Sequence, residues 1–404
     1  MTSTDISERG SVGVAATQAV DLPGTVDLEA GGRLETVRIA YETYGELAPA
    51  RDNVLLVCHA LSGDAHAAGW SADADTPTAL DGFGATDRGV RSRGGLGWWD
   101  GMIGPGKSFD TERWFVICTN LLGGCRGSTG PASLDPASGA PYGPDFPVVT
   151  VADQVEVQRR LLEQLGIDSL LGVTGGSLGG MIALEWAVRH PDRVRACLPI
   201  ASTAALDARG LAWNAIARNA IVTDPDWQGG RYYGTGRGPR RGLGIARQVG
   251  HVTYLSAESM TEKFGRRLQD RDEYSFTTTE ADFAVESYLR HQAETFADRF
   301  DANTYLLLSR ALTYFDLARA HGGGDLARAL APARASFLVI SFSSDWLYPP
   351  RDSERMHDAL VAAGKDVEHH RLETAYGHDS FLLETDQQRP HIWAFLDRVY
   401  KEAR

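Results

Sequence analysis

Three residues of this chain could together perform covalent chemistry: Ser177, Asp345 and His378. A serine hydroxyl is a weak nucleophile near neutral pH. It needs a base, an exposed position and a site for the oxyanion. Ser177 stands in Gly175-Gly176-Ser177-Leu178-Gly179, a G-x-S-x-G segment between an apolar run (residues 170–174) and helical text that Pro191 stops. Strand, tight turn and helix in that order hold such a serine forward, and the helix N-terminus puts backbone N–H groups beside it. The bland alternative is a glycine-rich turn with an incidental serine, and the strand–turn–helix context speaks against it.

Asp345 follows strand text at 337–342, and His378 follows the last strand text, in Tyr376-Gly377-His378-Asp379-Ser380-Phe381. The order serine, aspartate, histidine suits a relay at C-terminal strand ends. His378 takes the Ser177 proton, and Asp345 orients the imidazole and stabilises its charged form. Asp345 could instead serve a turn or cap, and His378 could simply lead a helix. His190 precedes Pro191, His369 and His370 lie within strand text, and His251 and His291 fall in a helical region, so these histidines compete poorly. A second oxyanion donor is expected from His59-Ala60-Leu61-Ser62-Gly63-Asp64, after an early strand. The backbone N–H of Leu61, paired with that of Leu178, is the candidate.

These residues need a frame. Residues 37–44 alternate like a half-exposed strand, while 54–58, 114–118 and 170–174 are continuous apolar runs, as expected of strands buried on both faces. Helical text lies between them. Thr150 and Asp153 form a capping signal before Val155, Leu161, Leu162 and Leu165, with Gly166 as the stop. Alternation of this kind predicts a mostly parallel central sheet flanked by helices. With the serine turn it predicts an α/β-hydrolase fold. From residue 204 to 325 the text turns helical, at 210–222, 281–300 and 304–320, with a Gly/Arg/Tyr-rich loop at 229–244. Strands return at 337–342 and 367–372, with helices at 351–363 and 391–401. The expected organisation is a mobile tail over 1–20, a core over 21–203 and 326–404, and a helical lid insertion over 204–325.

Composition excludes several classes. A net charge of −13 argues against a nucleic-acid or polybasic membrane binder. The sequence shows no signal peptide and no run of roughly 18 apolar residues, so a cytoplasmic protein without a membrane span is expected. The four cysteines, Cys58, Cys118, Cys125 and Cys197, form no CxxC pair and no zinc spacing, so no metal is expected.

Acyl chemistry through a serine does not say who collects the acyl group. Here the chain resembles the homoserine O-acetyltransferase family. The segments that carry the resemblance are Ala40-Tyr41-Glu42-Thr43-Tyr44-Gly45 and His59-Ala60-Leu61-Ser62-Gly63-Asp64. Further along stand Trp98-Trp99-Asp100-Gly101-Met102-Ile103-Gly104-Pro105-Gly106, Asn120-Leu121-Leu122-Gly123-Gly124-Cys125-Arg126-Gly127-Ser128-Thr129-Gly130-Pro131 and Tyr376-Gly377-His378-Asp379-Ser380-Phe381-Leu382. The resemblance implies ping-pong transfer from acetyl-CoA, a co-substrate rather than a bound cofactor, to L-homoserine in methionine biosynthesis. It implies Arg247 on the amino-acid carboxylate, Tyr254 in support, and Asp379 on the ammonium. It also implies a homodimer through the lid insertion.

A guanidinium suits a carboxylate, although Arg247 could be a surface residue and Asp379 a helix cap. Arg237, Arg240 and Arg241 could meet CoA phosphates, but a solvated loop suits them better. Succinyl users of this family are expected to carry an arginine shortly after the aspartate of the relay. Leu347 stands there and favours acetyl. The rival readings are succinyl transfer or a serine acceptor on the same scaffold, a serine esterase, and a non-catalytic binder. Arg247 and Asp379 argue against an esterase, and the complete set of three catalytic residue types argues against a binder.

Overall fold

The computed structural model describes residues 10–72 and 95–402. An eight-stranded sheet forms its centre. In chain order its strands are β1 (Gln18–Leu22), β2 (Val37–Tyr44), β3 (Val54–Cys58), β4 (Phe115–Thr119), β5 (Leu170–Gly176), β6 (Val194–Ile200), β7 (Ser336–Phe342) and β8 (Val367–Leu372). Their spatial order is β8-β7-β6-β5-β3-β4-β2-β1. From β4 through β3 to β8 every pairing is parallel, and β2 runs antiparallel to both of its neighbours.

The strands are buried as their apolar runs require. In β3, Leu56 and Cys58 join one apolar cluster and Leu55 and Val57 the other, so the strand feeds a core on each face. On the core helices, α1 (Val151–Gln164) starts at Thr150, whose Oγ1 accepts from the Asp153 N–H while the Asp153 carboxylate accepts from the Thr150 N–H. Then come α2 (Leu178–Arg189), α10 (Pro350–Ala362), the short α11 (Ser380–Leu383) and α12 (Thr385–Glu402). Between β6 and β7 the chain is helical: α3 (Ala208–Val222), α4 (Arg240–Tyr254), α5 (Ala257–Lys263), α6 (Ala284–Arg299), α7 (Ala302–Tyr314), α8 (Leu317–Gly322) and α9 (Leu326–Leu330). Among the described residues no helix is long and apolar enough to cross a membrane.

The sequence expectations need several corrections. Of the tail expected over 1–20, residues 1–9 lie outside the described residues. The remainder is not a loose tail: β1 pairs antiparallel with β2, and Val14–Ala15 pairs with Trp70–Ser71. The loop expected over 229–244 ends at Pro239, because Arg240 and Arg241 open α4. No local cap signals that start. The carboxylate of Asp224, from another segment, accepts the first-turn N–H of Gly242 at 2.8 Å. The helix expected over 304–320 breaks at Phe315, where Asp316 caps α8 by accepting the Arg319 N–H. The last helix begins at Thr385 rather than after Pro390, which lies inside it.

Candidate active site

The turn between β5 and α2 is strained. Ser177 has φ 59° and ψ −122°, a left-handed conformation that a non-glycine residue adopts only under constraint. The constraint is visible in the packing. A Cβ on Gly175 or Gly179 would overlap the carbonyl oxygen of Cys58 at the end of β3, so the turn sits against that strand as only glycine allows. Ser177 is thereby held at the α2 N-terminus while its side chain faces a small cavity of about 50 Å³.

The residues lining that cavity come from distant parts of the chain. They include Leu61, Ser177, Tyr254, His378 and Asp379, with Trp98 and Phe381 supplying apolar wall. His378 Nδ1 lies 2.7 Å from Asp345 Oδ2, and both side chains are buried. The other oxygen of Asp345 accepts the backbone N–H groups of Leu347 (3.0 Å) and Tyr348 (2.9 Å). Asp345 therefore serves both its own turn and the imidazole, and its orientation is fixed by three hydrogen bonds. The His378 ring is enclosed by aromatic rings, with centroids of Tyr348, Phe381 and Tyr254 at 5.1, 5.5 and 5.9 Å.

The segment bearing Leu61 is pinned by His59. Its Nδ1 donates to the Ala60 carbonyl at 2.7 Å, and its Nε2 accepts the Leu121 N–H at 3.1 Å. Burial lowers the imidazole pKa and keeps it neutral, as this pattern requires. Gly63 N–H donates to the same Ala60 carbonyl. Leu178 is the first residue of α2.

Arg247 is buried on α4, not on the surface. Its Nη1 donates to Ser62 Oγ at 3.4 Å, and its guanidinium lies 4.7 Å from the Phe296 ring centroid and 5.9 Å from that of Tyr254. Burial pushes the Asp379 carboxyl up to about 7, although the neighbouring His378 and Arg247 oppose the rise. Asp379 precedes α11 but makes no side-chain cap to it. Burial likewise raises the Tyr254 phenol.

Other expected residues fall away from the cavity. Leu347 does not line it; its side chain packs against the main apolar cluster. Arg240 pairs with Asp298 at 2.5 Å, and Arg237 lies 4.0 Å from Asp226, all of them largely solvent-exposed. Sequence reasoning passed over Tyr348, whose buried ring meets the His378 ring edge-on and whose backbone N–H donates to Asp345. It also passed over Ser62, although Ser62 adjoins Leu61 in a segment already singled out. Among the described residues, no group of three or more His, Cys, Asp and Glu side chains could hold a metal ion.

A strained serine turn at the C-terminal ends of parallel strands, with His378 lining the same cavity and held by the buried Asp345, defines the α/β-hydrolase class, and the sequence model of the alpha/beta hydrolase fold family matches residues 53–385. The chain is 50% identical to a homoserine O-acetyltransferase of Solidesulfovibrio magneticus over 383 residues, covering 95% of this chain and 91% of that protein. It therefore belongs to the homoserine O-acetyltransferase family. A homoserine O-succinyltransferase of Marinobacter nauticus is 48% identical, with 97% of each chain covered. Among solved structures, the homoserine O-acetyltransferase of Bacillus anthracis superposes with a TM-score of 0.82 at 29% identity, covering 94% of this chain and 98% of that one. Esterase E22 superposes equally well at 30% identity, covering 95% and 100%.

Proposed function

We propose that this chain transfers an acetyl group from acetyl-CoA to the hydroxyl of L-homoserine through an acetyl-Ser177 intermediate. His378 Nε2 takes the Ser177 proton as Oγ attacks the thioester carbon. The carbon–sulfur bond then breaks, and the CoA sulfur leaves with that proton. In the second half His378 takes the proton of the homoserine hydroxyl, whose oxygen attacks the acyl carbon, and Oγ leaves and is reprotonated. Asp345 holds the imidazole and balances its charge in both halves. The N–H groups of Leu61 and Leu178 receive the oxyanion.

The observation that carries this reading is the buried Asp379 in the cavity wall together with the buried Arg247, which contacts Ser62 and Tyr254 of that same wall. A hydrolase that uses water needs no such pair. A guanidinium for the carboxylate and a carboxylate for the ammonium, with Tyr254 between arginine and imidazole, suit an amino-acid acceptor. Binding the ammonium also favours the ionised form of Asp379 that burial opposes.

Acetyl is favoured over succinyl because the cavity wall beside Ser177 is apolar, with Ala60, Leu61, Trp98, Phe381 and Leu382. Nothing in such a wall pairs a second carboxylate. Leu347 packs behind the site, against the main apolar cluster, and not in its wall. The 48% identity to a succinyltransferase keeps succinyl transfer as the second reading. The same proposal places the enzyme in the cytoplasm, in methionine biosynthesis. It joins two copies through the 204–325 insertion, where Leu211, Ile216, Ile245 and Val252 are exposed.

The test crosses homoserine or serine with acetyl-CoA or succinyl-CoA and reads products by mass spectrometry. O-acetylhomoserine as the dominant product is expected. CoA release at the same rate without any amino acid would assign the chain to the hydrolases.

A further inference from the structure

Ser62 stands where the turn carrying Leu61 meets Arg247. Residues 60–63 form a tight turn: the Gly63 N–H donates to the Ala60 carbonyl at 3.0 Å, with Leu61 and Ser62 at its centre. His59 holds that turn, with Nδ1 2.7 Å from the same carbonyl and Nε2 accepting the Leu121 N–H. The packing is close, since a Cβ on Gly63 would fall 2.9 Å from the His59 Cβ. Leu61 and Ser62 both line the cavity that Ser177 faces. Adjacent residues of one fixed turn therefore bring a backbone N–H and a hydroxyl to that cavity.

The hydroxyl has one proton to donate and two lone pairs to accept with. A guanidinium only donates, so at the 3.4 Å contact with Arg247 Nη1 the Ser62 oxygen accepts. Among the described residues no protein group accepts the Ser62 O–H in return, and Ser62 is half-buried at the cavity wall. A carboxylate has lone pairs for several donors. One that settles against the Arg247 guanidinium comes within reach of this O–H as well.

We propose that Ser62 is an acceptor-binding residue, whose O–H donates to the carboxylate of the amino-acid acceptor while its oxygen keeps the Arg247 guanidinium on that same carboxylate. This rests on the transfer to homoserine proposed above and names the residue that ties acceptor choice to the oxyanion turn. No covalent bond changes at Ser62. Because Leu61 is its neighbour in a fixed turn, the acceptor carboxylate is held in register with the place where the oxyanion forms. The acceptor hydroxyl is then presented to the acyl carbon at a set distance. An alcohol without a carboxylate gains nothing from Ser62.

S62A removes the hydroxyl, and S62T restores it. Both are compared with wild type on L-homoserine and on 3-amino-1-propanol, which is homoserine without its carboxylate, while mass spectrometry follows acetylation of the enzyme by acetyl-CoA. In S62A, kcat/KM for homoserine should fall about 10- to 100-fold, mainly through KM, as a lost hydrogen bond to a charged group requires. The value for 3-amino-1-propanol should change less than about threefold, and S62T should bring homoserine back to within about fivefold of wild type. Wild-type kcat/KM for homoserine in S62A would overturn the proposal. So would an equal loss with both acceptors, which would place the effect in the oxyanion turn rather than on the carboxylate. A wild-type enzyme that takes no acetyl group from acetyl-CoA would instead sink the acyl-serine reading beneath it.

Discussion

Replacing Asp345 by asparagine should silence the enzyme without unfolding it, for a reason set by three hydrogen bonds. One oxygen of Asp345 accepts two backbone N–H groups, those of Leu347 and Tyr348, and the other faces His378 Nδ1 at 2.7 Å. An asparagine must choose. With its oxygen on the two amides, its N–H₂ group points at Nδ1, which must then accept. The imidazole proton is forced to Nε2, the nitrogen that takes the serine proton in the mechanism proposed above. Turning the amide round restores the tautomer but aims N–H₂ at two N–H donors and strands both, at roughly 1–3 kcal/mol each. The first orientation therefore wins. A histidine in the wrong tautomer costs about ten-thousand-fold in kcat, or about 5 kcal/mol of barrier. The assay is CoA release followed by thiol titration, with thermal unfolding alongside. D345N should lose about that much kcat at little changed Tm and KM. A loss of less than about tenfold would refute the tautomer argument.

Other outcomes follow from neighbouring residues. R247K keeps the charge but loses the two-pronged grip, so KM for homoserine should rise about 10- to 100-fold while acylation by acetyl-CoA is unchanged; an equal loss in both halves would place Arg247 elsewhere. The Asp379 carboxyl is raised to about 7 by burial, so the folded enzyme holds a proton there that the unfolded chain gives up near pH 4. Between those values the native state binds more protons, and stability at this site falls as pH rises, by up to about 4 kcal/mol. D379N should therefore raise Tm at pH 8 and flatten this slope while weakening homoserine binding, as pH-dependent calorimetry and kinetics would show; an unchanged slope contradicts the burial argument. G179A places a methyl group against the Cys58 carbonyl, so it should cost several kcal/mol or prevent soluble expression; an active, stable G179A would mean that the turn relaxes.

What could be read in the sequence was what local chemistry dictates. Residues 54–58 read as a doubly buried strand because every side chain there must leave water. The serine turn was legible because glycine is demanded where the chain meets the end of β3. Residues 18–20 read as tail although they open β1, because in that strand only Val20 and Leu22 show the alternation and its partner is chosen by register with β2. The start of α4 was missed because its cap, Asp224, comes from another segment. Tyr348 and Ser62 escaped for a related reason. The Arg247–Ser62 contact joins residues 185 positions apart, and no pattern of spacing encodes such a meeting. His378 and Asp345, 33 positions apart, were readable because both follow strands of one parallel sheet, whose topology fixes where strand ends lie.

The proposed transfer passes through a covalent acetyl group at Ser177. Purified enzyme mixed with acetyl-CoA in the absence of homoserine, then quenched in acid and read by intact and peptide mass, measures it directly. One acetyl group per chain on the peptide containing Ser177 is expected, lost on adding homoserine with the appearance of O-acetylhomoserine, and absent in S177A. An unmodified serine during active turnover, or undiminished transfer by S177A, would contradict the central claim.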